Sequence, residues 1–137
     1  ASALEHQKNT LKLSGLMFCA GVIGATIMYF LSDYFIVLVY GDGYLESVAM
    51  FKMLVFVVPL VFFDSALNAF VIKNKSALFF FFKWLSVLLT AYIVMNTYLD
   101  SYGWMAGVYG YYAGFIMAVL ISLCYFYFYK NKGLSCQ

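Results

Sequence analysis

Long apolar runs separated by short polar segments are the main pattern along the chain. Four runs are long enough to cross a bilayer as a helix, which takes about 20 residues. We predict spans at about 13–31, 53–72, 77–98 and 104–127. Short polar connections follow the second and third runs, at Lys73–Ser76 and Asp100–Gly103. The pattern therefore predicts an all-α integral membrane protein with four transmembrane helices in an antiparallel, up-down arrangement.

The segments that flank the first run are shorter or more polar. Residues 1–12 predict a short amphipathic approach to the membrane, and Asp33 is expected to mark the water boundary. Residues 34–40 are apolar but too short to span, so we predict a segment lying at the interface. Gly41-Asp42-Gly43 is a strong turn signal, and Glu46 follows at the expected start of a helix, where the helix dipole favours an acid.

The second run is expected to be the one around which the others pack. It contains Asp64, an acid within an apolar segment, and Asn68 one helical turn later on the same face. An ionised carboxylate cannot face lipid without a large penalty, so Asp64 must face other helices or water. The only proline, Pro59, removes a backbone hydrogen bond and predicts a hinge near the middle of this span.

A second charge, Lys83, lies inside the third run. With a rise of 1.5 Å per residue, Asp64 and Lys83 both lie roughly 10 Å from the same end of neighbouring antiparallel helices. We therefore predict that they meet as an ion pair or share a wet cavity. The alternatives are that Lys83 extends its ammonium to the interface, and that Asn68 and Ser65 satisfy Asp64 as a packing residue. The functional interpretation is that Asp64, Asn68 and Lys83 line a substrate or ion path.

Composition excludes several classes of protein. Hydrophobic residues make up 66% of the chain and charged residues 10%, whereas soluble domains have roughly 45–50% and 25%. The net charge of +2 gives no indication of nucleic-acid binding. The three cysteines and the single His6 show no metal-ligand spacing, so we predict no metal site and no cofactor, and we expect His6 to be solvated. No catalytic set of side chains occurs, so an enzyme is not expected.

The lysines predict the orientation in the membrane. Placing both ends in the cytoplasm puts six of the eight lysines there, whereas the opposite loops carry mainly acids; the six are Lys8, Lys12, Lys73, Lys75, Lys130 and Lys132. Cytoplasmic loops of membrane proteins are enriched in lysine and arginine. The expected topology is therefore multi-pass with both ends inside.

The fourth run carries small residues on one helix face: Gly103, Gly107, Gly110, Gly114 and Ala118. This stripe predicts close helix packing, and a sliding surface is the functional alternative to ordinary packing. Tyrosines near both ends of the spans are typical of interfacial belts. The alternative for three of them, Tyr109, Tyr111 and Tyr112, is that they line a sugar path.

Two short motifs resemble elements of a transporter family. Tyr40-Gly41-Asp42-Gly43-Tyr44-Leu45-Glu46-Ser47 resembles F-G-x-x-[FY]-x-x-[AS], and Tyr102-Gly103-Trp104-Met105-Ala106-Gly107 resembles Y-G-x-x-G-A. Both elements occur in Wzx-type lipid-linked oligosaccharide flippases of the MATE-like superfamily. The 73–76 loop lies where that family has a short G-K-x-K turn, from which Asn74 and the missing glycine depart. The resemblance covers nearly the whole chain but only the last third of such a transporter, which has two pseudo-symmetric lobes.

The resemblance implies that residues 1–137 are the C-terminal portion of a longer transporter in the bacterial cytoplasmic (inner) membrane. The implied function is export of an undecaprenyl-pyrophosphate-linked oligosaccharide for polysaccharide biosynthesis by alternating access. Its implied partners are that lipid-linked oligosaccharide, the bilayer and the remaining spans of the transporter. Two alternatives stay open: another MATE-like exporter, such as a drug/cation antiporter or a peptidoglycan-lipid flippase, and a four-helix membrane scaffold that does not transport.

Overall fold

Five α-helices account for almost all of the structure. The computed structural model describes residues 3–73 and 77–134, which are 95% helix with no strand. The helices are α1 (Ala3–Tyr40), α2 (Glu46–Val55), α3 (Val58–Lys73), α4 (Ala77–Tyr102) and α5 (Met105–Leu134). The predicted loop at 74–76 and the tail at 135–137 lie outside the described residues.

Four helical stretches are long and apolar enough to cross a membrane, which confirms the predicted fold class. They run over Glu5–Tyr40, Glu46–Lys73, Ala77–Tyr102 and Met105–Tyr129. Large apolar side chains are exposed along all four, as expected for surfaces that face lipid rather than water. The structure is thus compatible with a multi-pass, four-helix membrane protein.

The first helix continues well beyond the predicted span. Helix α1 is unbroken from Ala3 to Tyr40, so both the separate amphipathic start and the interfacial segment at 34–40 were wrong. Asp33 lies within this helix, and its carboxylate pairs with Lys52 at 2.7 Å. No proline or glycine lies between Gly24 and Tyr40 to interrupt the backbone. The predicted turn follows: Gly41 has φ 86°, and a 3₁₀ turn covers Asp42–Tyr44.

The second span is divided into two helices. Helix α2 ends at Val55 and α3 begins at Val58. At the break, the amide of Val57 donates to the carbonyl of Leu54 at 3.0 Å, a tighter turn than an α-helix makes. Pro59 lies one residue inside α3, where a missing amide hydrogen is tolerated. The helix of the second span is therefore interrupted at residues 56 and 57, shortly before the proline.

The helices pack as two antiparallel pairs. Helix α3 makes its largest contact with α1, and α4 makes its largest contact with α5. The two pairs meet mainly where α3 runs beside α5. Helices α3 and α4 touch only slightly, although we predicted them to be neighbouring antiparallel helices. The α2–α3 span is the most buried of the four, with α1 and α5 packed against it, whereas α4 packs mainly on α5 rather than, as had been expected, on this span.

Two ends of the bundle can be distinguished by their connections. At the terminal end, α1 and α4 begin and α3 and α5 end; at the loop end lie the 41–45 connection and the turn between α4 and α5. That second turn falls at Gly103, whose φ is 56° and whose amide donates to the carbonyl of Leu99 at 2.9 Å. Glycine adopts such a left-handed conformation without the penalty that a β-carbon brings.

Candidate functional site

A buried polar cluster joins three helices in the interior of the bundle. Lys83 donates from Nζ to both carboxylate oxygens of Asp64, at 2.6 and 2.8 Å, and also to Oδ1 of Asn68. Asn68 donates from Nδ2 to Oδ2 of Asp64 at 2.9 Å. Ser122 donates its hydroxyl to Oδ1 of Asp64, also at 2.9 Å. We call these four residues the Asp64 cluster.

Helix geometry brings the four side chains together. Asp64 and Asn68 are one turn apart on α3, so both project from the same face. Lys83 comes from α4 and Ser122 from α5. Because α3 and α4 otherwise touch only slightly, the long lysine side chain provides much of the connection between these two helices.

Because the Asp64 cluster is buried, loss of one of its charges should strongly lower the stability of the protein. Asp64 is 2% exposed and Lys83 is 1% exposed. Each oxygen of the Asp64 carboxylate accepts two hydrogen bonds, four in all. The Lys83 ammonium also lies 5.5 Å from the centre of the Trp84 ring, where it is attracted to the aromatic face. A buried ion pair offsets its desolvation penalty only with such extensive hydrogen bonding, and removal of one partner costs about 3–5 kcal/mol.

The structure contains the predicted ion pair between Asp64 and Lys83. The other partners of the carboxylate differ from those predicted. Lys83 does not extend to the interface, since its ammonium is buried against Asp64. Ser65 is not a partner of Asp64, because its hydroxyl is exposed and donates to the carbonyl of Val61. The partner that was missed is Ser122, a lone hydroxyl on a helix that is distant in sequence.

A second ion pair links α1 to α2 near the loop end. Lys52 and Asp33 are 2.7 Å apart, with side chains 29% and 65% exposed. The Lys52 ammonium also lies 5.5 Å from the centre of the Tyr29 ring. Solvent-exposed pairs of this kind contribute about 0–1 kcal/mol, so this pair is a useful reference for the buried one.

The predicted hinge residue, Pro59, lies at a close backbone contact between α1 and α3. A β-carbon built on Gly21 would lie 2.7 Å from Cα of Pro59 and 3.3 Å from the ring of Phe62. The two helix backbones therefore touch just after the break at Phe56 and Val57. Movement at that break would be passed on to α1 through this contact.

The glycine stripe of the last span is only half correct. Gly110 and Gly114 pack against α4, with built β-carbons 2.9 Å from the Ala91 carbonyl and 3.4 Å from the Ala91 side chain. A β-carbon built on Gly107 would meet nothing within 4 Å, because the helix face opens there into a cleft beside α2 and α3. Gly103 lies in the turn rather than in α5. The prediction of packing roles for Gly103 and Gly107 was therefore wrong.

Gly110 and Gly107 form a matched pair for testing this packing. Gly110→Ala should lower the melting temperature of the purified protein in detergent, because its β-carbon would meet the backbone of α4; overpacking costs about 1–3 kcal/mol. Gly107→Ala should be neutral or slightly stabilising, since alanine favours helix and has room. Equal effects of the two changes would contradict this packing.

Two of the three tyrosines considered for a sugar path share a cleft. Tyr109 and Tyr112 line a cavity of about 520 Å³ together with Tyr29, Phe56 and Lys52. Tyr111 lines a different cleft beside Val57 and Gly107. The hydroxyl of Tyr112 donates to the carbonyl of Met53, which holds α5 against α2.

His6 is not solvated as expected. Its ring stacks on Phe70 of α3, with centres 5.6 Å apart. Its Nε2 atom is buried and has no hydrogen-bond partner within the described ranges. The ring therefore acts as part of the α1–α3 packing near the terminal end.

Comparisons with protein-family models, curated proteins and solved structures found no match to the chain. Within residues 3–73 and 77–134, no group of three or more His, Cys, Asp or Glu side chains is placed to hold a metal ion. The Asp64 cluster and the two sequence motifs are therefore the features of the chain that bear on its function.

Proposed function

We propose that the chain forms the last four spans of a membrane transporter that flips an undecaprenyl-pyrophosphate-linked oligosaccharide for polysaccharide biosynthesis. The observation that carries the transport role is the Asp64 cluster, a fully buried charge pair supplied by separate apolar helices. Ionisable residues within a membrane are expensive to retain and typically serve substrate, ion or proton movement.

The arrangement of the helices supports a role in alternating access. Helices α1 and α3 form one packed pair and α4 and α5 the other. The Asp64–Lys83 bond crosses between these pairs, so it must break or rearrange if they rock apart on one side of the membrane. The break before Pro59 gives α3 a place to bend relative to α2.

The choice of substrate depends on the motif resemblance at residues 40–47 and 102–107. In the structure, each motif supplies a glycine with positive φ, Gly41 and Gly103, and both lie in turns at the loop end. These are positions where other residues would be strained, which supports a structural reason for the two motifs. In this proposal the loop end faces the outside and both chain ends face the cytoplasm, as the lysines indicate.

Deletion of the complete coding region from the source bacterium tests the proposal. We expect the polymerised surface polysaccharide to be lost and its lipid-linked repeat unit to accumulate in the membrane. The wild-type gene should restore export, whereas Asp64→Asn should not, at equal amounts of protein in the membrane. Asp33→Asn is the matched control and should restore export, because its ion pair is exposed.

Other outcomes would favour the alternatives. Unchanged polysaccharide with increased sensitivity to cationic drugs would indicate a drug/cation antiporter. Accumulation of a peptidoglycan precursor would indicate the peptidoglycan-lipid flippase. No change in any transported compound would favour a scaffold, for which the Asp64 cluster serves only to hold three helices together.

A further inference from the structure

The ammonium of Lys83 occupies a position surrounded by oxygen atoms. Both carboxylate oxygens of Asp64 lie within 2.8 Å of Nζ, and Oδ1 of Asn68 accepts a further hydrogen bond from it. The hydroxyl oxygen of Ser122 lies 2.9 Å from Oδ1 of Asp64. The carboxylate and the amide oxygen thus converge on one buried cation, which the chain itself supplies, and the hydroxyl of Ser122 holds the carboxylate in place.

We propose that the Asp64 cluster is a binding site for a monovalent metal cation, and that Lys83 occupies it as a tethered competitor. Hard cations prefer carboxylate, carbonyl and hydroxyl oxygens. Asp64 and Asn68 present three such oxygens to the position of Nζ. The Ser122 hydroxyl donates to Oδ1 of Asp64 and so orients the carboxylate towards the ion.

Charge balance selects a monovalent ion. The cluster contains one carboxylate, so one positive charge neutralises it within apolar surroundings. A divalent ion would leave a net positive charge in the apolar interior, which is strongly unfavourable. Exchange of the ammonium for an alkali-metal cation leaves the net charge of the site unchanged.

Lys83 has a place to go when the ion binds. It lies six residues after Ala77, roughly 10 Å from the terminal end of α4. Lysine side chains at that depth can extend along the helix and place the ammonium at the interface. The interface position and the position beside Asp64 are thus two alternative positions of the Lys83 side chain.

This inference gives the proposed transport function its coupling ion, and in that respect it rests on the proposed function. Binding of the ion from one side would release the Lys83 link between α4 and α3, and departure of the ion would restore it. The affinity for the ion and the formation of the Lys83 link between the two helix pairs are then coupled, because the ion and the ammonium compete for the same carboxylate.

Thermal unfolding of the full-length protein tests the site directly. We would measure melting temperatures of wild type, Lys83→Ala and Lys83→Gln in NaCl, KCl and LiCl, with N-methylglucamine chloride at equal ionic strength as the reference. Removing the tethered competitor should let the ion bind, so at least one alkali chloride should raise the melting temperature of Lys83→Ala by about 5 °C or more. The wild type should shift much less, because Lys83 fills the site. The salt that gives the largest shift identifies the ion.

Two controls locate the effect. Adding Asp64→Asn to Lys83→Ala should abolish the shift, and adding Ser122→Ala should reduce it. Persistence of the shift without the Asp64 carboxylate, or a wild-type shift equal to that of the variant, would place the ion elsewhere and overturn the proposal. If neither Lys83 variant folds in any alkali chloride, or neither shifts, then no alkali cation replaces the ammonium and the proposal is wrong.

The binding measurement separates this inference from the proposed function. A cation shift in a protein whose deletion leaves every polysaccharide unchanged would keep the site and refute the flippase. Loss of polysaccharide export on deletion, with no shift of the melting temperature in any alkali chloride, would support the flippase and refute the cation site.

Discussion

Asp64→Asn and Lys83→Gln should each destabilise the protein severely, and the double variant should recover much of the loss. Each single change leaves a charge buried without its partner, for which about 3–5 kcal/mol is expected. The double variant replaces the pair by neutral groups that can still hydrogen-bond to Asn68 and Ser122. The measurement is thermal unfolding in N-methylglucamine chloride, analysed as a double-mutant cycle.

The exposed pair is the matched control for this cycle. Asp33 and Lys52 have the same sequence separation of 19 residues and a similar distance of 2.7 Å. Because both side chains are partly exposed, the cycle of Asp33→Asn and Lys52→Gln should give a coupling of only about 0–1 kcal/mol. Equal coupling in the two cycles would mean that burial does not strengthen the inner pair.

Transport measured on the same variants separates three roles of the inner pair. Recovery of export in the double variant would indicate an ion pair whose role is structural. Loss of export in Asp64→Asn that no change at Lys83 restores would indicate a carboxylate that acts in ion coupling, as the proposed cation site requires. Additive effects on stability would contradict an energetic link between the two residues.

Gly21→Ala should give the second large loss of stability. The new β-carbon would lie 2.7 Å from Cα and 3.2 Å from the nitrogen of Pro59. Backbone atoms cannot move aside as a flexible side chain can, so α1 and α3 must separate along their main contact. Overpacking of this kind costs about 1–3 kcal/mol or more, and it should be visible as a lower melting temperature and less folded protein in the membrane.

Gly24 provides the control on the same helix. A β-carbon there meets nothing within 4 Å, so Gly24→Ala should be neutral or slightly stabilising through helix propensity alone. A similar loss in both variants would show that α1 does not tolerate alanine for reasons unrelated to Pro59. Tolerance of Gly21→Ala would mean that the two helices are not in backbone contact.

The ion pair was predictable because helix rise is nearly constant. Counting residues from the nearest span ends placed Asp64 and Lys83 at one depth, and opposite charges at one depth in neighbouring helices attract. Ser122 could not be found in this way, because a single hydroxyl in an apolar span has no periodic signature. Its contact also depends on α5 lying beside α3, which is a tertiary arrangement. The exposed pair of Asp33 and Lys52 was missed for a similar reason.

The errors in the fold have physical causes as well. Apolar patterns report polarity rather than backbone continuity, so Asp33 was expected to mark the water boundary and residues 34–40 to form a separate interfacial segment, although α1 continues to Tyr40. The spacing of Gly107, Gly110 and Gly114 places these three on one face of α5, whereas Gly103 lies in the turn before it. Which of them touch a neighbour depends on where α4 lies beside α5, and only Gly110 and Gly114 fall at that contact.

The length of α1 bears on how the protein responds to its lipid environment. Its 38 residues extend about 57 Å, whereas a bilayer with its headgroups is about 40–45 Å thick. The polar start of the helix, residues 5–12, can lie outside the bilayer. The remaining, largely apolar residues 13–40 extend about 42 Å, which still exceeds the hydrocarbon core of about 30 Å, and such mismatch is relieved when the helix tilts or the bilayer thickens. Because α3 is packed along α1, tilting of α1 inclines the polar cluster with it. Bilayer thickness should therefore influence the orientation of the Asp64–Lys83 pair. Thinner membranes should favour a larger tilt of α1 and of the polar cluster.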